Sequence, residues 1–302
     1  MRKHFIQQIT NRARTDKRVF LLIGDLGYSV VEDFEREFPS RFANVGVSEQ
    51  AGMGIAAGLA KSHLPVFYSI ANFPSFRCLE QIRNDVAHEG NPVMIVSLGA
   101  GFSYGTAGYS HHAIEDAAAV GSIFGMSVYT PACIHELDDV LEAHWKNPRP
   151  IYLRLGSGEV CDECLPGSRN FQSRVNLDKT DFKPSTLFVT HGEIGKLVAR
   201  SLEQSGLPYE QLSVADFNLS SRAELDFVAS FRNVVTVEEH SGEFGFGARI
   251  RSKLSNTNFH RFEIMGVPDM DFHIGGKRQF HLERSGLSES DFLNQLEKLY
   301  NA

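Results

Sequence analysis

The chain has 302 residues, of which 42% are hydrophobic and 22% charged, and carries a formal net charge of −7. That length supports two domains, each with its own core, and an acidic balance without a Lys/Arg cluster excludes nucleic acid as the main partner. No uninterrupted apolar stretch reaches membrane-spanning length, and Cys78, Cys133, Cys161 and Cys164 are too few for a disulfide scaffold, so a cytoplasmic protein is expected.

The start, Met1-Arg2-Lys3-His4-Phe5-Ile6, is basic, but Gln7, Gln8, Thr10 and Asn11 follow where a signal peptide would need an apolar run. Short β-branched or aromatic runs at 19–23, 66–70, 93–96 and 151–153 read as strands. Helix-length stretches lie between them at 30–38, 48–61, 75–88 and 135–145. This alternation predicts a doubly wound parallel sheet covered on both faces. From Gly156 to about Pro184 the periodicity fades and Gly, Pro, Ser, Asn and Asp accumulate, which marks a linker. Cys161-Asp162-Glu163-Cys164 falls there; without two further ligands or a strand-to-helix setting it reads as two reduced surface thiols. A second alternating series follows, with strands expected at 186–190, 211–215, 233–238 and 261–264. Its helices are expected near 195–204, 222–231, 246–254 and 289–300. The resulting layout is α/β, with one domain over 1–158, a linker over 159–184 and a second α/β domain over 185–302.

Two segments place a titratable group beside small residues at a strand-to-helix junction, where a side chain can face a cleft. They are Gly46-Val47-Ser48-Glu49-Gln50 and Gly108-Tyr109-Ser110-His111-His112, which make Glu49 and His111 the leading candidates for chemistry. The helix after Glu49 is unusually small-sided, with Ala51, Gly52, Gly54, Ala56, Ala57, Gly58 and Ala60. It permits close backbone approach at some cost in helix propensity. That suits either tight packing within the domain or a subunit interface that carries Glu49 into a dry environment, where a carboxyl can exchange a proton.

Asn44-Val45-Gly46-Val47-Ser48-Glu49-Gln50-Ala51 resembles the Gly-Ile-Ala-Glu-Gln segment of the transketolase family, and Gly54 to Ala60 continues it. In that family the glutamate protonates a ring nitrogen of the aminopyrimidine of thiamine diphosphate and so activates the coenzyme. Gly24-Asp25-Leu26 resembles the family's Ala-Asp-Leu, which implies that Asp25 and Leu26 line the cofactor cleft. Asn72-Phe73-Pro74-Ser75-Phe76 resembles the stretch whose aromatics stack on the pyrimidine, pointing to Phe73 and Phe76. Gly105-Thr106-Ala107-Gly108-Tyr109-Ser110-His111-His112 aligns with Gly-Glu-Asp-Gly-Pro-Thr-His-Gln, so His111 would contact the substrate carbonyl or hydroxyl. Val235 to Gly242, with Gly245 and Gly247 opening a helix, is similar to the family's last domain, where such a segment is mostly structural.

The resemblance covers only the last two of that family's three domains: a pyrimidine-binding domain and a C-terminal domain. The Gly-Asp-Gly segment that holds Mg2+ and the diphosphate has no counterpart, so a separate N-terminal subunit is implied, in an α2β2 heterotetramer, with no metal ligands on this chain. Three positions depart from the sugar-phosphate pattern. Ala107 replaces an aspartate that recognises a donor hydroxyl, Gly99 stands near an expected phosphate-contacting histidine, and Ser157 stands where a phosphate-binding Arg often sits. A charge-assisted contact is worth about 1.5–3 kcal/mol, enough to change substrate choice. The expected substrate is therefore a small sugar or 2-oxoacid outside the standard pentose phosphates. The alternatives are a β subunit of the pyruvate dehydrogenase type and a non-catalytic assembly subunit. A nicotinamide site is disfavoured because no Gly-x-Gly-x-x-Gly follows the first strand.

Overall fold

The computed structural model describes residues 1–70, 72–156, 174–175 and 185–301. Helix α1 (Arg2–Thr15) leads into β1 (Val19–Ile23), α2 (Glu32–Glu37), β2 (Phe42–Asn44), α3 (Glu49–Leu59) and β3 (Leu64–Ile70). Next come α4 (Phe73–Phe76), α5 (Leu79–Gln81) with a π-helical continuation over Ile82–His88, and β4 (Met94–Leu98). The first sheet is completed through α6 (Asp116–Gly121), β5 (Ser127–Tyr129), α7 (Ile134–Lys146) and β6 (Ile151–Leu155). Its order is β2-β1-β3-β4-β6-β5, and every pairing is parallel.

Alternation of side chains along the strands explains the two-sided cover. Leu22, Phe67 and Ile95 pack with Met53 and Ala56 of α3, whereas Leu21, Val66, Met94 and Val96 pack with Phe5 and Ile9 of α1 and Leu137 and Leu141 of α7. Helix α1 was not legible as a helix. Its buried residues Phe5, Ile6, Ile9, Thr10 and Ala13 share one face at helical spacing, but the intervening polar residues hide the stripe. The short strands β2 and β5 also escaped, because each is too brief to show an apolar run. The single helix expected over 75–88 is broken into α4, α5 and the π-helical stretch.

The second sheet contains β7 (Arg174–Val175), β8 (Thr186–His191), β9 (Glu210–Ser213), β10 (Asn233–Ser241) and β11 (Arg261–Val267). Helices α8 (Ile194–Glu203), α9 (Arg222–Ala229), α10 (Phe246–Lys253), α11 (Arg278–Arg284) and α12 (Glu289–Tyr300) accompany it. The order is β11-β10-β8-β9-β7, parallel except for the antiparallel edge strand β7, which falls inside the segment read as linker. The α/β, two-domain expectation therefore holds. Cys161 and Cys164 lie outside the described residues, whereas Cys78 and Cys133 are buried free thiols. Among the described residues, no helix is long and apolar enough to cross a membrane.

The domains are joined by backbone hydrogen bonds and by a buried carboxyl. Thr130 N–H donates to Ala215 O at 2.8 Å and Phe217 N–H to Val128 O at 3.0 Å, so the edge of β5 is closed by the second domain. Nearby, Glu136 of α7 accepts from Ala132 N–H at 2.7 Å and from the Ser213 hydroxyl of β9 at 2.6 Å. Burial outweighs both bonds and pushes the Glu136 carboxyl up to about 7, well above the ordinary glutamate range. The folded state thus holds a proton that the unfolded chain has released, and the stability this contributes is lost as pH rises through the folded value. Thermal midpoints taken from about pH 5 to about pH 8 should fall for the wild type and fall less for Glu136→Gln; parallel curves would contradict the assignment.

Candidate functional site

Because β2, β1, β3 and β4 run parallel, the loops after Asn44, Ile23, Ile70 and Leu98 emerge on one edge. The chain reverses its strand order between β1 and β3, and the carboxyl edge at such a reversal is where open α/β sheets form a crevice. All four candidate loops meet there.

The Asp25 loop needs left-handed backbone: Asp25 has φ 53° and Gly27 φ 102°. Asn44 holds this loop beside the next one, its Oδ1 accepting from Asp25 N–H at 3.1 Å and from Gly46 N–H at 2.9 Å. The Tyr28 hydroxyl reaches Asp25 Oδ1 at 3.3 Å. Leu26 is half-buried against the first-domain core, so of this pair Asp25 is the open side chain.

Glu49 is the first residue of α3 and only 4% exposed. A carboxylate there sits at the positive end of the helix. Its Oε2 accepts from Arg77 at 2.8 Å, and among the described residues Oε1 makes no hydrogen bond. The Arg77 guanidinium also lies over the Phe73 ring at 4.3 Å, and Phe73 meets His111 edge-on at 5.1 Å. Arg77 thus connects the two titratable candidates through one aromatic ring. Sequence reasoning missed Arg77; the signal was its position four residues after Phe73, which puts both on one helical face. Phe76, at the end of α4, is 46% exposed. Burial, reinforced by the Glu49 charge, pushes the neighbouring Cys78 thiol up to about 12 and keeps it unreactive.

Helix α3 buries Glu49, Gly52, Met53, Ala56 and Ala57, with Gly52 closely packed by Phe67 and Val45. Its other face is open: a Cβ at Gly54 or Gly58 would meet nothing within 4 Å, and Ile55 is exposed. The small residues therefore serve both readings, tight packing on one side and an unfilled small-sided face on the other.

The His111 loop is shaped by glycine. Gly99 has φ 94°, Gly101 φ 64° and Gly108 φ 82°. At Gly99 a Cβ would lie 2.1 Å from the Tyr104 ring, so Tyr104 fills the space that a histidine would need. Ala107 and Ser110 are exposed, His111 is half-buried, and the Ser110 hydroxyl lies 3.0 Å from His111 Nδ1. His112 points the other way. It is fully buried against Phe102, His281 and Phe272, with its pKa lowered chiefly by burial. Ser157 lies outside the described residues.

The structure thus brings Asp25, Glu49, Phe73, Phe76 and His111 to one carboxyl edge. A buried acid at a helix start, beside aromatic faces and an accessible imidazole, can donate a proton to a flat heteroaromatic ring and hydrogen-bond a second reactant. That arrangement fits the pyrimidine half of thiamine diphosphate. Among the described residues no group of three His, Cys, Asp or Glu side chains is placed to hold a metal ion.

The family described as "Transketolase, pyrimidine binding domain" matches residues 1–162. A subunit of the apulose-4-phosphate transketolase of Phocaeicola vulgatus is 29% identical over 96% of this chain and 95% of its own length. The 1-deoxy-D-xylulose-5-phosphate synthase of Halalkalibacterium halodurans is 28% identical over 98% of this chain, which spans 48% of that longer protein. Among solved structures, "Split gene transketolase, inactive beta4 tetramer" superposes with a TM-score of 0.80 at 27% identity, covering 98% of this chain and 96% of that one.

Proposed function

We propose, from the fact that this chain belongs to the transketolase pyrimidine-binding domain family, that it is the C-terminal subunit of a two-component, thiamine-diphosphate-dependent transferase. In this reading it is active only with an N-terminal partner, in an α2β2 assembly that moves a two-carbon ketol or acyl unit to an aldehyde or ketone. The observation that carries the reading is Glu49: a buried acid at the start of α3, on the carboxyl edge where Asp25, Phe73 and His111 also stand. The sequence relationship to a transketolase subunit of nearly the same length supports it.

Asp25, Leu26, Phe73 and Phe76 would hold the pyrimidine half of the cofactor. When bound, thiamine diphosphate supplies a carbon nucleophile and an electron sink for the two-carbon unit. Glu49 holds and delivers the proton at a carboxyl oxygen, Arg77 fixes the orientation of that carboxyl, and Phe73 excludes water between the acid and His111. His111 donates a hydrogen bond to the substrate oxygen on which charge develops. The partner is assigned Mg2+ and the diphosphate. Residues 1–158 and 185–302 are taken as the two domains, with 159–184 as their linker.

Ala107 and Gly99 remove two polar contacts of the sugar-phosphate pattern, and at Gly99 the Tyr104 ring closes the space. The proposed substrates accordingly lie outside the standard pentose phosphates. The test is reconstitution with a partner carrying the Gly-Asp-Gly segment, followed by a donor screen. The isolated chain should bind thiamine diphosphate weakly and turn over nothing, and the pair should turn over a donor. Tight cofactor binding by the isolated chain would overturn the split-site reading. Ordinary transketolase efficiency of the pair on xylulose 5-phosphate and ribose 5-phosphate would overturn the substrate reading.

A further inference from the structure

We propose that the C-terminal domain positions His111, and that Glu239 is the positioning residue through which it does so; this rests on the role given to His111 above. The loop from Gly99 to Ile114 closes on itself, with Gly101 and Ala113 exchanging both backbone hydrogen bonds at 2.9 Å. Beyond this neck the tip carries Gly105 to His111. The neck belongs to the first domain by sequence, yet it is held by the second. The Glu239 carboxylate, on β10, accepts from Phe102 N–H at 2.7 Å on one side of the neck, and Ser241 N–H donates to Ile114 O at 2.7 Å on the other.

Three further observations show that the fit is built. Gly101 leaves no room for a side chain, since a Cβ there would lie 2.5 Å from the Glu239 side chain. Arg278 of α11 grips the same carboxylate, its Nε 3.0 Å from each oxygen and its terminal nitrogen 2.5 Å from Oε2. Phe102 and Ile114 belong to the apolar core of the C-terminal domain with Val235, Val237 and Leu282.

The tip rests on the same domain. Gly105 packs so closely on Gly276 O and the His281 ring that a Cβ would lie 2.7 Å and 2.9 Å from them, and Tyr109 stacks on Phe272 at 5.2 Å. Glu49, by contrast, is held by Arg77 of the first domain, and among the described residues its side chain makes no hydrogen bond to the C-terminal domain. The two halves of the proposed chemistry therefore have separate supports. Loosening Glu239 should move His111 and leave the cofactor side in place.

Glu239→Gln keeps the shape and one acceptor but loses the charge that engages Arg278 and Phe102 N–H. In the full-length chain, backbone hydrogen exchange over residues 100–112 should rise on the order of 10-fold, with strands β1 and β8 unchanged. In the reconstituted enzyme assayed with hydroxypyruvate, kcat should fall on the order of 10²-fold while thiamine diphosphate affinity shifts by less than about two-fold. Arg278→Lys, which keeps the charge, should lie between. Unchanged loop exchange in Glu239→Gln, or a loosened loop with unaltered kcat, would overturn the proposal. Glu49→Gln in the same assay separates the two readings: if it turned over like the wild type, the cofactor reading would fail, and loop exchange alone would then decide whether Glu239 fastens the loop.

Discussion

Glu49→Gln should abolish turnover in the reconstituted enzyme, lowering kcat by about 10²–10⁴-fold, the range expected for removing a positioned acid–base group. Glutamine fills the same volume at the start of α3 and can still accept from Arg77, now 2.8 Å from Glu49 Oε2. The fold should therefore survive, because the glutamine amide oxygen keeps the bond from the half-exposed Arg77 and leaves no buried group unpaired. The measurement is paired, with turnover on hydroxypyruvate and thermal unfolding of the same preparation. A large loss of turnover with an unmoved midpoint assigns Glu49 to chemistry. Turnover retained at the wild-type level would leave a non-catalytic assembly subunit as the better account. Arg77→Met is the informative companion, because it frees Glu49 Oε2 and removes the cation lying over Phe73 in one step.

The acid and the imidazole were legible because each sits in a short contiguous motif whose small neighbours leave a side chain facing a cleft. What tied them together was not. Arg77 lies outside both motifs, and its contacts to Glu49 and Phe73 arise only because α4 crosses the start of α3. The parallel order of the first sheet followed from apolar runs separated by helical stretches, since a strand buried on both faces must be apolar throughout. Edge strands β2 and β5 are too brief to show such a run, and helix α1 carries mixed sequence because it buries only one face. The domain junction was the least visible part. The segment from Val235 to Gly242 reads as mostly structural by its likeness to the family's last domain, but folding makes Glu238 accept from Phe246 and Gly247 N–H at 2.6 and 2.7 Å while Glu239 reaches the His111 loop. Two adjacent glutamates thus serve opposite sides of one strand, as the period of two requires.

The largest stability effect should come from Arg154→Met at that junction. Asp116 and Arg154 are 0% and 2% exposed, and Asp116 Oδ2 accepts from Arg154 Nε and from the Tyr152 hydroxyl, both at 2.8 Å. Arg154 also donates to Thr130 Oγ1 at 3.1 Å and to Ala113 O at 2.7 Å, so it ties β6 to the neck of the His111 loop. Removing the guanidinium strands a buried carboxylate and leaves Ala113 O with only its bond from Gly101 N–H, and breaking a buried pair in this way costs about 3–5 kcal/mol. In the wild type His240 is no second partner for Asp116: burial and the Arg154 charge lower its pKa to about 3, and its Nε2 lies 3.9 Å from Asp116 Oδ1, beyond hydrogen-bond reach. Asp116 itself is lowered overall; burial opposes ionisation, but the Arg154 charge and the bonds from Arg154 and the Tyr152 hydroxyl outweigh it. A carboxylate with a depressed folded pKa contributes stability above its unfolded value and loses it as pH falls through the folded value. The wild type should therefore weaken on acidification by a component that Asp116→Asn lacks. In denaturant titrations, the double variant Asp116→Asn with Arg154→Met should be more stable than Arg154→Met alone, because no uncompensated charge remains. Strict additivity of the two substitutions would show that the pair is not coupled, and the junction would then owe its strength to apolar packing around Phe217 and Val128.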